Sequence, residues 1–212
     1  MGIPDSNPDK KEKILLAAET LFSQFGFEGV STRALAREAG VNIAMLSYYF
    51  GSKEKLYEST IQYLMDRRRD DFARIFDSIE DPLHKIFALV DYYVDKVFGQ
   101  GAAYKIFNRE ISNSQVPGLC NEILDFIMGN MSIIKGFIEE GIENKIFKKV
   151  DMEMTLFTLV GTVHHLTHAQ SLTRKMFHLN FEEPFLSNEQ FKMRLKNHLK
   201  NLLSDHLLIS KP

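Results

Sequence analysis

Three glycines constrain this chain more than any other feature. Gly26, Gly40 and Gly51 cut its first quarter into helical pieces, most of them too short to be stable alone. Each glycine is soon followed by a good helix starter. Ser31, Asn42 and Ser52 carry short side-chain oxygens that can accept from the free N–H groups of a first turn. The spacing predicts helices over Lys11 to Phe25, Thr32 to Ala39 and Ile43 to Phe50, and a fourth beginning at Lys53. Ile14, Ala18, Leu21, Phe22 and Phe25 form an apolar stripe on the first, with Phe27 and Val30 tucking beneath its end. Gly40-Val41-Asn42 has the length and chemistry of a helix-turn-helix joint.

At 3.6 residues per turn, Asn42, Ile43, Leu46, Tyr49 and Phe50 share one side of the third helix, with Leu46 and Phe50 at its centre. Ala44, Met45, Ser47 and Tyr48 face the other way. A solvated face usually carries Lys and Glu. This one is small, apolar or aromatic, which suits a surface that meets a partner. Short side chains let such a helix approach the edges of bases in a major groove, and tyrosine hydroxyls can bond phosphate oxygens. Thr32 and Arg33 begin the second helix and Lys53 the fourth, where free N–H groups favour anions.

Charge does not assist. Residues 1 to 56 hold seven cations and seven anions, and the whole chain has net charge −2. Affinity for DNA must come from local placement and from a doubled module, not from a basic field.

The rest of the chain is helical by period. A long pattern covers Glu54 to about Ser78, and another starts at Asp81-Pro82 and stops at Gly99-Gln100-Gly101. Helices follow over Ala102 to Ile111 and Leu119 to Glu140, where Gly141 interrupts. Asp151 caps one through about Leu172, and Ser187 starts the last, to about Leu208. No alternating strand pattern occurs, so the fold class is all-α. The composition, 44% hydrophobic and 25% charged, argues against disorder. No apolar run is long enough to span a membrane. The pattern Met1-Gly2-Ile3-Pro4-Asp5-Ser6 matches an acylation signal but has no second anchor, and is set aside. The single Cys120 reads as an inert thiol in a reducing compartment.

The stretch ILLAAETLFSQFGFEGVSTRALAREAGVNIAMLSYYFGSKEKLY resembles the tetracycline-repressor (TetR) family of bacterial transcription regulators. The resemblance rests on the ordered spacing of Ala17-Ala18, Leu21-Phe22, Gly26-Phe27, Ser31-Thr32, Ala36, Ala39-Gly40-Val41, Leu46, Tyr49-Phe50 and Ser52-Lys53-Glu54. It implies a ligand-responsive regulator, a repressor in most members, that binds a palindromic operator as a homodimer and is released by a small effector. It places DNA contacts at Thr32, Arg33, Ile43, Ala44, Met45, Ser47, Tyr48, Tyr49 and Lys53. Ser47 departs from the family's usual Tyr, which should alter base preference. The domains expected are a flexible arm over 1–9, a helix-turn-helix DNA-binding domain over 10–56, and an all-helical effector-binding and dimerisation domain over 57–212. The dimer would form through the last two helices, and the protein would be cytoplasmic and nucleoid-associated. An alternative is a helical module that binds small molecules or proteins and not DNA.

Phe87, Tyr93, Tyr104, Phe107, Phe126, Met131 and Phe157 could line a pocket for an apolar or aromatic effector, although each could equally be core. Arg109-Glu110 reads as a surface ion pair, and Arg67-Arg68-Arg69 as a solvated, self-paired face. His164, His165 and His168 lie on the helix after Asp151. Small neighbours, the lack of an H-E-x-x-H order and nearby acids that lie off the face shared by His164 and His168 favour packing at a dimer interface over a metal site. No paired-carboxylate, nucleophile or phosphate-loop motif occurs, so neither catalysis nor a cofactor is expected.

Overall fold

The computed structural model describes residues 8–99, 101–180, 182 and 184–209. The acylation pattern and all but the last two residues of the expected arm lie outside them. The helices are α1 (Pro8–Phe25), α2 (Thr32–Glu38), α3 (Ile43–Phe50), α4 (Lys53–Phe76), α5 (Pro82–Gly99), α6 (Gly101–Asn113), α7 (Leu119–Glu143), α8 (Met152–His168), α9 (Gln170–Met176) and α10 (Glu189–Leu207). A 3-10 turn, Phe185–Ser187, precedes α10. Among the described residues there is no strand, only an isolated bridge between Phe147 and Leu208. The protein is all-α.

The local signals at the N-terminus act as their chemistry requires. Ser31 Oγ accepts from Ala34 N at 3.1 Å, Asn42 Oδ1 from Met45 N at 2.9 Å, and Ser52 Oγ from Lys55 N at 3.2 Å. Gly26, Gly40 and Gly51 sit at φ 73°, 65° and 78°, the left-handed region where a side chain is strained.

The chain divides into two compact units. The first runs to Asp71 and takes back Ala102–Ile127; the second comprises Phe72–Gly101 and Met128–Pro212. Packing therefore groups α6 with the N-terminal helices, a grouping distinct from the division by role at residue 56. The first core gathers Ile14, Ala18, Phe22, Phe27, Leu35, Leu46, Phe50, Leu56, Tyr57 and Ile61 with Ile106, Phe107 and Ile123. Phe25 is not in it. That ring is 60% exposed, because Phe27, beyond the turn at Gly26, takes the interior place. Phe27 lies 6.3 Å from the Phe22 ring and 5.1 Å from the Tyr57 ring.

In the second unit, α5 and α10 pair through Ile86, Val90, Val94 and Val97 on one side and Leu195, Leu199 and Leu203 on the other, all buried. Polar side chains flank this seam. Lys196 reaches Asp95 at 2.7 Å, and Lys200 reaches Asp91 at 2.6 Å.

Three expected boundaries shift. Gly141 does not interrupt α7. It stays helical and makes room for the buried Phe147 ring, which would lie 2.0 Å from any added Cβ. The helix expected from Asp151 to Leu172 divides at Ala169 into α8 and α9. The last helix starts at Glu189, capped by Asn188, whose Oδ1 accepts from Phe191 N at 2.8 Å.

Candidate nucleic-acid interface

Helix α3 presents the face its sequence suggests. Leu46 and Phe50 are buried, Met45 and Tyr49 are half-buried, and Ala44, Ser47 and Tyr48 are exposed. Ile43, grouped by helical period with the inner side, is instead 44% exposed, because it stands in the first turn where α3 leaves its neighbours. The outer face is thus Ile43, Ala44, Ser47 and Tyr48, without a charge. Tyr48 and Tyr49 meet edge to face at 5.3 Å, which limits the freedom of the outer ring. Thr32 and Arg33 are exposed at the start of α2.

Lys53 turns toward the protein. Its Nζ donates to Phe27 O at 3.1 Å and Val30 O at 3.3 Å, and lies 4.1 Å from the centre of the Phe27 ring. The first job of this lysine is to tie the start of α4 to the α1–α2 loop. At the same end of α4, the Glu54 carboxyl is held below the usual range by its own backbone N–H and by Ser52.

The same loop is clasped by α6 and the segment after it. Arg109 Nη1 donates to Phe22 O at 2.8 Å and packs against Gly26, where a Cβ would lie 3.1 Å from it. Gln115 Oε1 accepts from Phe27 N at 3.3 Å. Glu110 is wholly buried. Its Oε2 accepts from the Tyr57 hydroxyl at 3.2 Å and its Oε1 from Val116 N at 2.9 Å. Burial and the neighbouring Glu110 push the Tyr57 hydroxyl's pKa up, so it stays a donor. Arg109 and Glu110 are thus not a surface ion pair, because each faces a different inner partner. No local pattern marks this clasp, since Arg109 and Phe22, Gln115 and Phe27, and Glu110 and Tyr57 lie 87, 88 and 53 residues apart in sequence.

The arginine run has a more specific setting than a solvated face. Arg67 lies over Tyr63 at 5.4 Å and pairs with Glu19 at 3.5 Å. Arg68 lies over Phe107 at 5.6 Å, and Arg69 lies over Phe126 at 5.9 Å and pairs with Asp66 at 3.1 Å. Burial raises the Glu19 carboxyl's pKa, opposed by Arg67 and Arg68.

The seven expected pocket residues are divided between the two units. Tyr104, Phe107 and Phe126 belong to the first unit, where Phe107 and Phe126 meet at 6.2 Å. Phe87, Tyr93, Met131 and Phe157 belong to the second. Phe157 is 63% exposed on α8 beside Met154, also 63% exposed. Phe87 lines an open concavity of about 710 Å³ together with Ile79, Asp81, His84, Asp91 and Lys200. Among the described residues, no helix is long and apolar enough to cross a membrane.

Capped short helices around a glycine joint, with an uncharged outer face on the second helix of the pair, have the architecture of a helix-turn-helix module. Residues 14–60 match the family described as bacterial regulatory proteins, tetR family, and the N-terminal module belongs to that family. The chain is 44% identical over 71 residues to the HTH-type transcriptional regulator RutR of Escherichia coli K12, covering 30% of this chain and 34% of that protein. It therefore spans about a third of the length of that curated relative. Among solved structures it resembles the ketosteroid transcriptional regulator KstR2 of Mycobacterium tuberculosis, with TM-score 0.72, 16% identity, and coverage of 97% and 98% of the two chains. It also resembles AibR in complex with isovaleryl coenzyme A and operator DNA, with TM-score 0.70, 16% identity, and coverage of 91% and 97%. At such identities these likenesses show the fold.

Proposed function

We propose that the chain is a cytoplasmic, ligand-responsive repressor that binds a palindromic operator as a homodimer and is released by a small apolar or aromatic effector. The observation that carries this reading is the outer face of α3, exposed yet uncharged at Ala44, Ser47 and Tyr48 and flanked by exposed Thr32 and Arg33. A face of that kind fits the major groove, with Ala44 against thymine methyls, Ser47 at a base edge, and Tyr48 and Arg33 on phosphates. Ile43, Met45, Tyr49 and Lys53 complete the contact set. Dimerisation is supported by α8, where Met154, Phe157, Gly161, His165 and His168 form an exposed stripe at helical spacing, a surface suited to a second copy. The neighbour bound to both an acyl thioester and operator DNA supports an effector with an apolar chain.

Two substitutions test the interface. In a fluorescence titration with DNA from upstream of its own gene, Arg33→Ala and Tyr48→Ala should weaken binding, and Arg33→Ala should also lower the salt dependence. Wild-type affinity and salt slope in both variants would exclude this face as the reading surface.

A further inference from the structure

His164 and His168 stand one turn apart on α8 with their imidazole rings face to face, centroids 4.3 Å apart and planes 12° from parallel. Neither is part of the helix's buried row, which is Thr155, Leu156, Leu159, Val163 and Thr167. His164 is half-buried and His168 exposed. Imidazole ligates a metal through an unprotonated ring nitrogen, and each of these rings carries two nitrogens. Histidines four apart on one helix face have the spacing that holds a single ion in known metal motifs. His168 also lies in the last turn of α8, where the negative end of the helix dipole favours a cation.

We infer that His164 and His168 form a two-ligand site for one divalent transition-metal ion of the zinc, nickel or copper type. Imidazole suits these ions, whereas magnesium and calcium demand oxygen ligands. Among the described residues no group of three or more ligating side chains converges. One chain thus supplies two ligands, and water or the same pair on a second copy completes the shell.

Calorimetric titration of tag-free, metal-stripped protein tests the site with zinc chloride, then nickel chloride, and with magnesium chloride as control. Wild type should saturate at one zinc per chain, or one per two chains if the pairs of two copies share it. His168→Ala should weaken zinc binding by about tenfold or more. His198→Ala, on α10, should bind as wild type does, and magnesium should give no saturable heat. His168 is exposed, so its replacement leaves the fold intact, and an unchanged thermal midpoint verifies this. Zinc binding equal in wild type and His168→Ala would overturn the assignment, as would an equal loss in His198→Ala.

Discussion

At the scale of single residues, buried polar groups organise the N-terminal unit. Glu110 has no exposed surface, and the Tyr57 hydroxyl is one of its two donors. Tyr57→Phe keeps the ring packing but leaves a carboxylate oxygen buried without that donor. It should lower unfolding free energy by about 1–3 kcal/mol, measured by urea denaturation. A cost near zero would show that water already satisfies Glu110. His164 adds a pH dependence. Its depressed pKa means that the fold favours the neutral ring, so the unfolded chain takes up the proton first. The stability it contributes is present above the ordinary histidine value, about 6.5, and is lost as pH falls below it. His164→Gln should flatten thermal stability against pH in that range, and an unchanged slope would contradict the assignment.

Among the helices, what was legible in the sequence was local. The caps at Ser31, Asn42 and Ser52 and the left-handed glycines act within three or four residues, so a short window contains the whole cause. Asn42→Ala should cost about 1 kcal/mol of stability, because it removes the side-chain acceptor of Met45 N at the start of α3. Features set by distant partners were hidden. Helical period places Phe25 inside, yet Phe27 displaces it through contacts with Phe22 and Tyr57. Gly141 reads as a breaker, yet it is kept for the Phe147 ring. Gly141→Ala would improve local helix propensity, so on local grounds it should stabilise. The structure predicts the opposite, a loss of about 1–3 kcal/mol from overpacking, read by thermal denaturation. The outer face of α3 was legible in Ala44, Ser47 and Tyr48, but Ile43 is exposed where the period puts it inside, and Met45 is half-buried where the period puts it outside. The inward turn of Lys53 and the placement of Arg109 were not, because both depend on carbonyls of the α1–α2 loop.

For the molecule as a whole, the proposed function depends on doubling a module that has no net basic charge of its own. One copy of such a module offers few phosphate contacts, and two copies held at fixed spacing double them. The exposed apolar stripe on α8 is the surface assigned to that pairing. Phe157→Glu should shift the sedimenting species toward monomer and weaken operator binding, while leaving the thermal unfolding of the chain nearly unchanged. The central claim is that α2 and α3 read DNA as a symmetric pair, and footprinting of the protein on the DNA upstream of its own gene tests it most directly. The account predicts protection of two inverted half-sites whose centres lie about one helical turn, ~34 Å, or a multiple of it apart. Protection of a single half-site, or no protection at any concentration, would contradict it.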